Sequence, residues 1–293
     1  MKGFHLMFMS WGMFERALVF VLLAPMLGGL LAGIDRKLSA RCQGRYGPPV
    51  MQPFYDVFKL FRKERIIVNK FQNFTILLFL AFTVFSGTLF FIGADLLLTI
   101  FGLALAGTFF VLAGFCVGSP FSHLGAEREI IQIAAYEPMV ILMAVGMYQV
   151  TGSFKVADIA QHQVPLILYL PGVFAGFLYI LTIKLRKSPF DLSMSHHAHQ
   201  EIVRGLITEF SGPALAMIEI AHWYETIVIL GMVYLFFGFN PVLALVMVTA
   251  TYLLEIFIDM NYARFRWQLT FGSSWLVTTV VGASNIIVLG LMK

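Results

Sequence analysis

The sequence is poor in charge, poor in cysteine and without a catalytic frame of its own. Only 12% of its 293 residues are Asp, Glu, Lys or Arg, about half the share carried by a soluble domain. That scarcity excludes an ordinary water-soluble globule. Its two cysteines, Cys42 and Cys116, lie far apart in the chain. Two such thiols cannot hold an iron–sulfur cluster or a structural zinc, so no cofactor is expected in this chain and any redox centre belongs to a partner. No Gly-rich phosphate loop, nucleophile motif or internal repeat is apparent, and no nucleic-acid partner is expected. The first apolar run follows no basic segment and no small-residue cleavage site, so it reads as a retained helix.

What the sequence has is hydrophobic length. Apolar residues make up 59% of the chain, and crossing a bilayer takes about 20 of them in succession. Eight stretches qualify: 11–34, 71–93, 95–118, 127–150, 164–184, 213–238, 240–259 and 271–292. The expected fold class is all-α, a polytopic integral membrane protein forming one domain over 1–293. Pro25, Gly28, Gly29, Pro138 and Pro171 inside these spans are tolerable where neighbouring helices satisfy the backbone.

Eight spans leave four long links on one side, at 35–70, 119–126, 185–212 and 260–270. These links and their borders hold sixteen of the twenty Lys and Arg residues, leaving Lys2, Arg16, Lys155 and Lys293. The positive-inside rule makes that side cytoplasmic and puts both termini on the non-cytoplasmic side. Within the first link, residues 44–64 are too polar to span. Pro53 suits a first helical position. Phe54, Phe58 and Phe61 follow helical spacing, with Asp56, Lys59, Arg62 and Lys63 opposite, as in an amphipathic helix lying in the membrane surface.

Ionisable residues inside spans are costly, at least ~2.5–3.5 kcal/mol each at mid-bilayer, and usually pair or line polar cavities. Span 4 carries Glu129 and Glu137, about 12 Å apart along a helix, with Arg128 placed to compensate Glu129. Span 6 carries Glu219, His222 and Glu225 in one slanted stripe. Span 7 carries Glu255 and Asp259 at i, i+4. One reading is a set of static polar plugs. The other, preferred because three spans carry acids, is a hydrated proton relay through all seven residues.

The cytoplasmic loop "SHHAHQE" (195–201) gathers His196, His197, His199 and Glu201. Imidazoles and a carboxylate suit a metal. Yet the spacing matches no ligand frame, adjacent His196 and His197 point apart, and the surroundings are basic. No metal is expected there. An inert solvated loop and a docking loop that touches a partner remain, and the second carries more weight.

Larger patterns carry a resemblance. "DRKLSARCQGRYGPPVMQPFYDVFKLFRKE" (35–64) resembles the segment after the first helix in the membrane-anchor subunit of respiratory complex I, and the related subunit of membrane-bound nickel–iron hydrogenases. "AEREIIQIAAYEP" (126–138), "PFDLS" (189–193), "EIVRGLITEFSG" (201–212) and "ARFRWQ" (263–268) agree with the same family. Asp35 stands where complex I usually has Glu, and Ala221-His222-Trp223 stands where it has Ala-Glu-Tyr. After Phe190-Asp191-Leu192 complex I has a short acidic segment. The histidine-bearing replacement looks like the compact, ferredoxin-linked energy-converting hydrogenase branch.

That resemblance implies a membrane-anchor and ion-coupling subunit in a prokaryotic cell membrane. Its partners would be hydrogenase large and small subunits and a ferredoxin-like subunit on the cytoplasmic face, an antiporter-like membrane subunit, and the lipid bilayer. A nickel–iron centre and iron–sulfur clusters would lie in those partners. The residues expected to dock and couple the arm are Arg36, Arg41, Arg45, Asp56, Lys59, Asp191, His196, His197, His199, Glu201, Arg204, Glu209, Arg264 and Arg266. The enzymatic activity would then be an oxidoreductase–translocase reaction to which this chain adds no cofactor. A quinone-site subunit of a complex I-type oxidoreductase and a free-standing ion antiporter or channel stay open as alternatives.

Overall fold

The computed structural model describes residues 12–64, 69–187, 189, 190, 193 and 204–292. The described residues form helices and connecting turns, with no strand among them. They are α1 (Met13–Cys42), α2 (Gln52–Phe61), α3 (Lys70–Ile92), α4 (Leu96–Phe115), α5 (Pro120–Thr151), α6 (Val156–Ala160), α7 (Pro171–Lys184), α8 (Gly212–Leu235) and α9 (Pro241–Asn261). The last span is α10 (Trp267–Leu276), a π-helical stretch Val277–Ala283 and α11 (Ser284–Met292). Seven of these helices are long and apolar enough to cross a membrane, which makes the chain an all-α, multi-pass membrane protein.

The fifth expected span differs. Residues 164–184 do not form one helix: a 3₁₀ turn at Leu166–Leu168 precedes α7, which has 14 residues, about 21 Å of helix. Pro171 is the reason. It opens α7 at the first position, where its missing N–H costs nothing, rather than interrupting a longer helix. The first span differs in the opposite sense. α1 runs on to Cys42, so Asp35, Arg36 and Arg41 are helical rather than part of a loop.

α5 and α8 are the central helices. Half of the apolar stretch of α5 and 56% of that of α8 are buried, against 28% for α1 and α9. Their methionines and aromatics, with Phe174 and Phe177 of α7, build the main core. Close approach is set by glycine. A Cβ on Gly28 would lie 2.6 Å from the Trp223 carbonyl oxygen, so only glycine lets α1 settle on α8 there. Gly125 likewise lets α5 meet the backbone of Gly205 and Leu206, and the Ser122 hydroxyl donates to the Leu206 carbonyl.

The amphipathic helix α2 exists, with its phenylalanines along one side, but that side is only partly the buried one. Val57 and Pro53 are buried, and Phe54 packs against Trp223 with ring centroids 5.2 Å apart. Phe58 and Phe61 are exposed. The helix is tied to α1 by Arg36 and Asp56 (2.9 Å).

Asn69, Asp95 and Asn240 cap the helices that follow them. The start of α7 is capped from a distance instead: Asn285 of α11 accepts from the N–H groups of Gly172 (2.9 Å) and Val173 (3.1 Å). Replacing Asn285 by Ala should destabilise the protein by about 1–2 kcal/mol, the usual cost of losing a helix cap. The check is the thermal midpoint of the detergent-solubilised protein; an unchanged midpoint counts against this assignment.

Candidate functional site

A buried charged segment closes α7. Lys184, Arg186 and Lys187 follow one another within four positions, and all three turn into the bundle. Lys184 pairs with Glu225 of α8 at 2.6 Å and donates to the Tyr136 hydroxyl of α5 at 2.9 Å. Its Nζ also lies 4.3 Å from the Tyr136 ring centroid. Arg186 has a left-handed backbone (φ +58°). Its guanidinium reaches His222 Nε2 at 2.8 Å and Glu129 at 3.3 Å, and stacks over Phe110. Lys187 goes elsewhere, pairing with Asp35 of α1 and with Asp259 of α9, the latter at 3.5 Å.

The first set forms a continuous polar chain. Ser193 donates to Glu129, Glu129 meets Arg186, Arg186 meets His222, and His222 Nδ1 lies 3.3 Å from Glu225. Glu225 meets Lys184, and Lys184 meets Tyr136. An arginine only donates hydrogen bonds. His222 Nε2 must therefore accept, leaving its proton on Nδ1 to be donated to Glu225. The imidazole sits edge-on to Phe79 and Phe110, which hold the ring plane. Beyond Tyr136, a small cavity of about 30 Å³ is lined by Tyr136, Glu137 and Lys184 among apolar neighbours. That is room for a water molecule.

The seven expected relay residues are therefore divided. Glu129, His222 and Glu225 are joined; Glu137 borders the cavity at the end of the chain; Glu219 is half-buried one turn before His222. Glu255 and Asp259 lie apart, in the Asp35–Lys187 cluster. Both carboxylate oxygens of Glu255 are buried without a hydrogen-bond partner, costly unless the acid is neutral or paired. Arg128 does not compensate Glu129. It stacks over Trp267, and Arg186 takes the role. The three cations of α7 and its exit were visible in the sequence only as topological charges. The missed signal is that buried acids require buried counter-cations, and these followed an apolar run directly.

The expected docking residues lie around this segment. Arg41 stacks on Tyr46 (5.1 Å), and Arg45 bonds Gln43. Lys59, Arg204, Glu209 and Arg266 are exposed, and Arg264 is half-buried. Phe265 N–H donates to the Pro189 carbonyl at 2.6 Å, joining the stretch around Arg264 and Arg266 to the start of the histidine loop. Asp191, His196, His197, His199 and Glu201 lie outside the described residues. Among the described residues no group of three or more His, Cys, Asp or Glu is placed to hold a metal.

A sequence profile described as NADH dehydrogenase matches residues 15–290. The chain belongs to the NADH dehydrogenase family. Within it, the chain is 30% identical to Hydrogenase-4 component C of Escherichia coli, over 71% of this chain and 68% of that protein. It is 30% identical to formate hydrogenlyase subunit 4 of the same organism, over 74% of each. It is 28% identical to a subunit of the NADH-quinone oxidoreductase of Thermomicrobium roseum, over 94% of each. A chain in the solved membrane-bound sulfane sulfur reductase, an archaeal respiratory membrane complex, superposes with a TM-score of 0.84 at 25% identity, covering 95% of this chain and all of that one. The family is thus one of membrane subunits in multisubunit oxidoreductase complexes, of hydrogenase and complex I type.

Lys184 and Glu225 are both nearly buried, with side chains 11% and 13% exposed. Glu225→Gln should leave an uncompensated buried ammonium and cost about 3–5 kcal/mol. Adding Lys184→Met to Glu225→Gln should recover most of that loss. Equilibrium unfolding in detergent across the double-mutant cycle reads both, and additive single effects contradict the pairing.

Proposed function

We propose that this chain is the membrane-anchor and ion-coupling subunit of an energy-converting nickel–iron hydrogenase complex. It docks a cytoplasmic electron-transfer arm and links ferredoxin–proton redox chemistry to movement of H⁺ or Na⁺. The observation that carries the reading is the buried chain from Ser193 and Glu129 to Tyr136 and Glu137, which begins at the base of the histidine loop and ends deep in α5. The redox centres, a nickel–iron site and iron–sulfur clusters, belong to the arm: large and small hydrogenase subunits and a ferredoxin-like subunit. An antiporter-like subunit lies beside the chain in the membrane, and both termini face the non-cytoplasmic side. The similarity to Hydrogenase-4 component C and formate hydrogenlyase subunit 4 supports this branch.

The physics of the chain suggests how coupling works. Glutamate, histidine, lysine and tyrosine exchange protons, whereas arginine does not at any working pH. Arg186 is thus a fixed positive barrier between Glu129 and the His222–Glu225–Lys184 group. It stands at the exit of α7, just before the docking loop. Displacement of Arg186 on reduction or oxidation of the arm would let protons pass between the two halves. Glu137 is the far terminus, in reach of a water beside Lys184.

The similarity to the NADH-quinone oxidoreductase subunit, which spans nearly the whole chain, keeps the second reading, a quinone-site subunit of a complex I-type enzyme. The relatives are named as components and subunits of complexes, which argues against a free-standing antiporter. Identification of co-purifying subunits separates these readings.

In the intact complex, Glu137→Gln should abolish ion transport in vesicles while uncoupled hydrogenase activity in detergent survives. Unchanged pumping removes Glu137 from the path. Substituting His196, His197 and His199 together by Ala should weaken arm attachment or coupling, seen as loss of arm subunits on purification or a lower ratio of ions moved per turnover. If neither changes, the loop does not dock the arm.

A further inference from the structure

One groove in the bundle takes no part in the proposed ion path and stands independently of it. Between α1, α8 and α9, with the end of α3 and α6 over its top, lies a cavity of about 550 Å³. That is the size of sites that hold organic ligands. Its walls are apolar, with Leu31, Leu230, Leu245 and Val248 among them. Along α1 its lining runs from Arg16 to Ile34, about 27 Å of helix, more than one leaflet of the ~30 Å hydrocarbon core.

The two ends differ, and the difference selects the occupant. Arg16 stands at one rim, where its Nη1 donates to the Ile92 carbonyl (3.1 Å), and it brings a fixed positive charge there. Exposed Lys155 immediately precedes Val156 and Ala157, which line the same rim. These are two of only four basic residues outside the basic links. At the opposite end, the Tyr252 hydroxyl donates to the Leu31 carbonyl at 3.1 Å. This bond ties α9 to α1 between the groove and the Asp35–Lys187–Asp259 cluster. A chain in the groove thus has its polar head at Arg16, not at the docking face.

We propose that the groove between α1, α8 and α9 is a binding site for an acyl chain of an anionic phospholipid, whose phosphate is held at Arg16 and Lys155. The site reads charge at its rim and hydrocarbon along its length. It fills the space between the peripheral helices α1 and α9.

The test uses the full chain in vesicles of phosphatidylglycerol or phosphatidylcholine carrying a photoreactive diazirine at the acyl-chain end, with adducts mapped by mass spectrometry. Adducts are expected at Leu31, Leu230, Leu245 or Val248, with phosphatidylglycerol strongly preferred. Arg16→Gln should lower the phosphatidylglycerol adduct yield about ten-fold, the loss of one charge-assisted contact, and Arg16→Lys should restore much of it. Thr249→Trp, which fills the groove from its exposed wall, should suppress adducts from both lipids, and Leu245→Trp should do the same. The proposal is overturned if the two lipids label equally and Arg16→Gln changes nothing. It is also overturned if a photoreactive quinone displaces the lipid adducts, or if a crosslinker placed at position 245 in the intact complex captures a neighbouring subunit's helix.

Discussion

The structure depends on one interaction: the carboxylates of Glu129, Glu225, Asp35 and Asp259, placed among membrane-spanning helices, are met by cations from a single segment. The cations are Lys184, Arg186 and Lys187. They reach α5, α8, α1 and α9 from a single four-residue segment. Removing any partner leaves a charge in a low-dielectric environment, where the desolvation cost of each ion is several kcal/mol. The arrangement therefore ties the central helices to the peripheral ones through charge, in addition to packing. The left-handed backbone at Arg186 lets consecutive side chains serve two different clusters.

That interaction also gives the bundle a direction. The cationic segment opens into the histidine loop, and the stretch around Arg264 and Arg266 joins it through Phe265 and Pro189. The polar chain runs inward from there, along α5 and α8, to a space large enough for water beside Glu137. At the other end of the molecule polar residues mostly cap helices. The two ends of the protein thus differ: one is built from charge pairs, the other from caps and apolar walls.

Much of this was legible in the chain. Apolar length marked seven of the helices, and the motif at 35–64 marked the family and the surface helix. The acids of α5, α8 and α9 stood out because charge inside an apolar run is expensive. Legibility ended where a residue's role depends on its neighbours. Lys184, Arg186 and Lys187 looked like loop charges, because nothing local shows that they fold inward. Arg128 looked like the partner of Glu129 because it is adjacent, yet adjacent residues on a helix point about 100° apart. The span at 164–184 looked continuous because its hydropathy is, while Pro171 starts a helix rather than sitting in one.

The sequence by itself determined what depends on composition and local pattern: membrane residence, the all-α class of the described residues, the family, and which acids are costly enough to need partners. Hydrophobic runs and motifs are properties of the chain and survive without a fold. The tertiary structure alone decided which cation answers which acid, that Glu129, His222 and Glu225 join one cluster while Glu255 and Asp259 lie in another, and that α7 is capped by Asn285 from more than a hundred positions away. Those outcomes rest on helices meeting in space at distances of about 3 Å, set by glycine contacts and proline-defined helix ends, and no local pattern encodes them.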